Sequence, residues 1–275
     1  MNLIRPIKLR TQSVKLSLGW LFFSLIAVQA EQPAISARDL ADRLSALQDG
    51  TSYVRLRLEV KKPGDSTKLA LQIQIKQRRT KTVADVVYQV LWPKELKGEA
   101  ILLHKAAGSP AAGSLFIPPD KLSTLNASQM NASLFGSDLS YQDAIENFFG
   151  WENQAIVGNE VLNGVNCLIL ESRPGKGELS TYSSVRSWID PRRLVPLRVE
   201  KYLPAGGLAR RIDTTRVVTD DKGRAIPANL TIHGPREDSV TDLDGSRIKH
   251  DVTYVDREFT PEALGQISVP PSAPE

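Results

Sequence analysis

From residue 51 onward, hydrophobic and polar side chains alternate with a period of two. Tyr53, Arg55, Arg57, Glu59 and Lys61 interleave with Val54, Leu56, Leu58 and Val60. Past a Lys-Pro-Gly-Asp turn at 62–65, Leu69, Leu71, Ile73 and Ile75 interleave with Gln72, Gln74 and Lys76. Two such runs predict a β-hairpin with one apolar face and one wet face. Strand patterns follow over 82–92 and 99–104, then over 154–157, 166–171, 182–190, 194–202, 210–219, 228–233 and 246–259. Turn clusters punctuate them at 174–177, 204–207, 220–223 and 242–245. About eleven strands with no helix between most of them predict antiparallel meander topology. Strands that are apolar on one side must bury that side in a barrel, in a sandwich or in a curved sheet closed by helices.

Two segments switch to the helical period. Ser36 is placed to cap a helix over 37–48, with Leu40, Leu44 and Leu47 on one face and Gly50 as its stop. Further on, Ser140 and Asp143 form a capping-box pattern, and Tyr141, Ala144, Ile145 and Phe148 form an apolar stripe over 141–149, ended by Gly150. By periodicity alone such a stripe reads as core packing of a connecting helix rather than as a ligand lid. Asp138 precedes it in a turn, where a carboxylate commonly bonds backbone amides.

The N-terminus adds a compartment. Arg5, Lys8, Arg10 and Lys15 precede an apolar run over 16–28, and Val28-Gln-Ala30 offers small residues for cleavage after Ala30. The run is shorter than the roughly 20 residues a spanning helix needs. Residues 1–30 therefore read as a cleaved export signal, leaving 31–275 as a single soluble domain, placed in the periplasm. The signal also carries the chain's formal charge of +4, so the remainder is neutral and offers no basic footprint for nucleic acid. The one cysteine, Cys167, sits in an apolar run and excludes an intramolecular disulfide framework. His104, His233 and His250 lie far apart without a second ligand at helical or hairpin spacing, so no metal or other cofactor is expected. No Gly-x-Ser-x-Gly elbow is present, although a dispersed triad needs only to meet in space.

Several segments together resemble the outer membrane lipoprotein-sorting family, relatives of the periplasmic carrier of the LolA/LolB type. They are VVYQVLWP at 86–93, KGEAILL at 97–103, SLFIPP at 114–119 and FGSDLSYQD at 135–143. Tyr182, the Trp188-Ile-Asp190 strand end and the 196–202 strand with Glu200 and Tyr202 also fit. Where relatives often carry basic residues, 118–130 is polar with one lysine. The resemblance implies a mainly β, α+β fold. In it a strongly curved antiparallel sheet forms an incomplete barrel, and short helices cover its concave apolar face.

It further implies a non-enzymatic carrier that binds lipid or acylated lipoprotein and works with an inner-membrane transporter and an outer-membrane acceptor. The candidate cavity and lid residues are Leu56, Leu58, Leu71, Ile73, Tyr88, Val90, Phe116, Phe135, Tyr141, Ile145, Phe148, Trp151 and Trp188. Gly136, Ser137, Asp138, Ser140 and Asp143 form the motif or lid hinge. Whether the aromatics are core or cavity wall stays open, because both roles need the same side chains. The rivals are a sensor on the same fold and an exported hydrolase whose histidine meets a Ser or Asp in a cleft.

Overall fold

The computed structural model describes residues 35–62, 69–234 and 239–268. Residues 1–30, expected to be an export signal, and most of the turn expected at 62–65 lie outside them.

The described chain opens with α1 (Ala37–Ala46), capped by Ser36, whose side chain accepts from Asp39 N. Six strands follow: β1 (Gly50–Lys61), β2 (Leu69–Arg79), β3 (Val83–Trp92), β4 (Ala100–Ala106), β5 (Ala112–Ile117) and β6 (Lys121–Leu125). A crossing segment holds α2 (Tyr141–Ile145) and three single 3₁₀ turns, the last at Phe148–Gly150. Seven more strands complete the sheet. They are β7 (Asn153–Leu162), β8 (Val165–Arg173), β9 (Ser184–Asp190), β10 (Val195–Tyr202), β11 (Leu208–Thr219), β12 (Ala225–His233) and β13 (Val240–His250).

These strands form one antiparallel sheet in the order β6-β5-β4-β3-β2-β1-β13-β12-β11-β10-β9-β8-β7. The last strand closes against the first, Val60 facing Thr241, so each half of the chain is a meander and β1–β13 is the seam. β6 and β7 remain as open edges, and the result is a curved, incomplete barrel.

Register fixes which side chains point inward. Leu56 pairs with Ile73 and Leu58 with Leu71; Ile73 in turn faces Val90, and Ile75 faces Tyr88, which faces Ile101. Because side chains alternate across a strand, all of these share the inner face. With Leu134, Tyr141 and Ile145 they form the largest core cluster. Around the other half of the inner face, Leu40 and Leu44 of α1 pack on Leu170, Ile189 and Phe149.

Among the described residues, the outer face is covered over one half of the sheet. The segment after β13 folds back over β2–β5, where Phe259 and Leu264 pack on Val87, Ala100 and Leu102. Gln89 Nε2 donates to Leu264 O at 3.0 Å, and Gln74 Nε2 donates to Ser268 O at 3.2 Å, tying this strap to buried strand amides.

Three expectations change. β5 and β6 are strands that periodicity missed, because Gly113, Ser114, Ser123 and Thr124 break the apolar alternation. The turn expected at 242–245 lies inside β13, where a register shift between Arg55 and Arg57 marks a bulge opposite Leu56. A Cβ on Gly245 would meet Leu56 Cβ at 3.3 Å, so the glycine permits close strand approach rather than a turn. β13 therefore starts earlier and ends at His250, and 252–259 leaves the sheet for the strap. Finally, the helix expected over 141–149 stops at Ile145, since Glu146 adopts extended backbone.

Candidate functional site: a cleft on the inner face

Two buried carboxylates, Asp138 and Asp143, pin the part of the crossing segment from Phe135 to Trp151. At its start, Phe135 and Gly136 both take left-handed backbone (φ 50° and 75°), which turns the chain sharply. Asp138 follows, buried against the start of β13. Ser239 Oγ donates to Asp138 Oδ1 at 2.6 Å, Thr241 Oγ1 donates to Oδ2 at 2.8 Å, and Asp138 N donates to Thr241 Oγ1. Ser137 Oγ closes the turn by donating to Leu134 O.

The second pin is Asp143. Ser140 caps α2 by accepting from Asp143 N, while Asp143 Oδ2 accepts from Ser140 N in return. The same carboxylate receives Lys201 Nζ (2.7 Å), Tyr182 OH (2.7 Å) and Arg210 Nε (2.7 Å). Its side chain is fully buried. Burial opposes its charge, but Lys201 and Arg210 hold the carboxyl well below the usual carboxylate range. Burial, reinforced by Asp143, pushes the Tyr182 phenol up. Tyr88 donates to Ala144 O at 2.9 Å, with its own pKa pushed up to about 12 by burial, and Arg79 Nη2 donates to Ile145 O at 3.1 Å.

Between the crossing segment and α1, inner-face residues of β1, β12 and β13 are only half-buried among the described residues. A cleft of about 450 Å³ lies there. Its floor is apolar and half-buried: Val54, Leu56, Ile226, Leu230, Leu243 and Ile248. One end is polar, where Asp49, Arg79, Asp143 and Glu146 border it, and Arg224 and His250 stand on its rim. The volume falls within the span of about 300–1,000 Å³ usual for small-molecule pockets.

Of the residues picked from sequence, only Leu56 and Asp143 border this cleft. Leu58, Leu71, Ile73, Tyr88, Val90, Tyr141 and Ile145, with Phe135 at the margin, are packed together beneath the crossing segment. Phe148 and Trp151 meet edge to face at 6.3 Å between centroids and belong to the half covered by α1. Gly136, Ser137, Asp138 and Ser140 build the two pins.

Two residues fall on the other side of the sheet. Phe116 is out of phase with inward Leu115 and lies on the outer face near the strap. Trp188 is out of phase with inward Ile189 and donates Nε1 to Glu160 at 2.7 Å, with Arg198 over its ring. Strand parity removes both from any inner cavity. The floor residues of β12 and β13 were missed although 226, 228 and 230 do alternate, because the bulge at Gly245 hides the phase of β13.

Two of the histidines lie against carboxylates. His104 Nδ1 bonds Asp85 at 2.6 Å on the outer face, and His250 Nε2 lies 3.0 Å from Asp220 and 2.8 Å from Arg224. Asp220, Asp221 and His250 bring ligand atoms within 4.8 Å of one another. Arg224 and Lys249 already pair with these acids and oppose a cation there. His250 borders the cleft and meets Asp220 there, as the hydrolase rival requires, while among the described residues no serine or cysteine hydrogen-bonds to His104 or His250.

Comparison with known proteins agrees with this architecture. A family model described as "Uncharacterized protein" matches residues 84–266. No curated protein sequence matches the chain. Among solved structures, a DUF1329 family protein from Desulfovibrio piger is similar at 23% identity and TM-score 0.76, over 83% of this chain and 97% of that one. An outer membrane lipoprotein-sorting protein domain from Vibrio parahaemolyticus reaches 0.74 at 17% identity, over 84% and 98%. A LolA superfamily protein from Nitrosomonas europaea reaches 0.66 at 19%, over 82% and 98%. The chain therefore belongs to the family this model describes, and its fold is the LolA-like half-barrel of the outer membrane lipoprotein-sorting proteins.

Proposed function

We propose that the protein is an exported, non-enzymatic carrier that takes a lipid acyl chain into the inner-face cleft and hands it between membranes. The observation that carries this reading is the half-buried apolar floor of Val54, Leu56, Ile226, Leu230, Leu243 and Ile248. Moving a chain from water onto such a floor is worth about 0.8 kcal/mol per buried methylene. The LolA-like fold supports the same reading by likeness to proteins named for lipoprotein sorting. On this reading residues 1–30 direct export to the periplasm, an inner-membrane transporter loads the cleft and an outer-membrane acceptor empties it. The Phe135–Trp151 segment would move as the lid, with Asp138 and Asp143 as its hinges.

Titration of the full chain, stripped of lipid, with a fluorescent fatty-acyl probe tests the idea. Saturable binding is expected. Leu56→Trp, which fills the cleft from β1, should weaken binding at least about tenfold while circular dichroism stays unchanged. No binding by the wild type, or equal binding by the filled variant, would sink the carrier reading.

A further inference from the structure

Arg79, at the polar end of the cleft, is a buried cation that the fold leaves without a counter-ion. It is 8% exposed, borders the cleft and keeps the inward phase of Ile73 and Ile75 along β2. Nη2 donates to Ile145 O, a neutral acceptor, while Nε is enclosed without a partner. Nη1 makes no hydrogen bond among the described residues and is not one of the enclosed atoms. Burial works against the Arg79 charge. Nearby Tyr88 and Asp49 offset this only in part, and no carboxylate hydrogen-bonds to the guanidinium. A guanidinium withdrawn from water is costly without a charged acceptor, and carboxylate and phosphate oxygens are the acceptors that match its fork.

The neighbouring charges point the same way. Asp143 is met by two cations, Lys201 and Arg210, so it has no negative charge to spare for Arg79. Arg224 on the rim is matched by Asp220. Glu146 is the other buried carboxyl at this end, and burial, opposed by Lys201, raises its pKa and favours the neutral acid. With Glu146 protonated, Arg79, Lys201 and Arg210 outweigh Asp143 and Asp49. The apolar floor starts beside this group. Gly50 pairs with Arg79 at the start of β1, and the floor runs on through Val54 and Leu56 to Leu243 and Leu230. An amphiphile lying along the floor brings its head to Arg79.

We infer that the cleft selects acyl lipids whose head is an anionic oxyacid, a carboxylate or a phosphate monoester. A head oxygen would accept from Arg79 Nη1, the guanidinium nitrogen still open to it, with the chain on the floor. This rests on the carrier reading and narrows it from acyl chains in general to one head charge.

Displacement of the fluorescent acyl probe from the lipid-stripped full chain at neutral pH separates the two. The competitors share one acyl chain: the free acid, its methyl ester, its monoacylglycerol and its lysophosphatidic acid. On the apolar floor alone the ester, being the more hydrophobic, would compete at least as well as the acid. At least one of the two anionic lipids should instead displace the probe about tenfold or more better than both neutral ones. Which of them does so identifies the head as carboxylate or phosphate. Arg79→Met should bring the ratio of anionic to neutral affinity down to about one, and Asp49→Asn, which removes a competing charge, should raise it. If the neutral lipids compete as well as both anionic ones or better, or if the ratio survives Arg79→Met with circular dichroism unchanged, the head assignment is overturned and the carrier reading stands. Should Arg79→Met fail to fold, a ratio that does not rise in Asp49→Asn overturns it instead. If the probe itself does not bind, the carrier reading fails first.

Discussion

At the scale of single residues, Asp143 shows how far local sequence reaches. Its capping box with Ser140 is visible in four consecutive residues, because both partners are local. Its ion pairs with Lys201 and Arg210 are 58 and 67 residues away, and no pattern in the chain announces them. Removing the charge should be costly. Asp143→Asn leaves Lys201 buried without its partner and is expected to lower the unfolding free energy by about 3–5 kcal/mol at neutral pH. The pH dependence follows from the depressed folded-state pKa. The carboxylate's contribution is fully present above the unfolded value near 3.8 and is lost as pH falls toward the folded one. Urea midpoints of wild type and variant should therefore converge below about pH 4, and a gap that stays constant there would contradict the assignment.

At the scale of elements, the alternating pattern was sufficient for β1–β3, where every second residue is apolar over 54–60, 69–75 and 84–92. It was insufficient for β5 and β6, which are short and carry glycine, serine and threonine where the alternation should continue. α2 ended early for a different reason. Its stripe of Tyr141 and Ile145 faces one cluster and Phe148 faces another, so a straight helix through 149 could not serve both. What holds this segment at its other end is a hydroxyl. Thr241→Val keeps the shape of β13 but leaves the buried Asp138 carboxylate and its amide short of a partner. A loss of about 1–3 kcal/mol in chemical unfolding is expected, with faster hydrogen exchange at the Asp138 amide. Unchanged exchange would mean that the pin does not hold the segment.

For the whole molecule, the two faces of the sheet are independent layers. Phe259 closes the strap on the outer face, with its ring 5.3 Å from Tyr254 and Arg78 above it. Phe259→Ala should cost about 3–5 kcal/mol of stability and leave acyl-probe affinity unchanged, since the cleft lies on the opposite face. A change in affinity at constant fold would show that the faces communicate. The sequence by itself determined that the chain is an antiparallel meander with one-sided strands and two helical segments, because periodicity and caps are local properties. It could not decide where the inner face is left half-buried. Tyr88, Tyr141 and Ile145 look as fit for a cavity wall as Val54 or Leu230, and the strand period is silent on what covers each strand. Only the tertiary structure, by laying one segment over β2–β4 and leaving inner-face residues of β1, β13 and β12 half-buried, separates core from cleft. The physical reason is that burial belongs to the partner an apolar side chain meets, and that partner is set by contacts far along the chain.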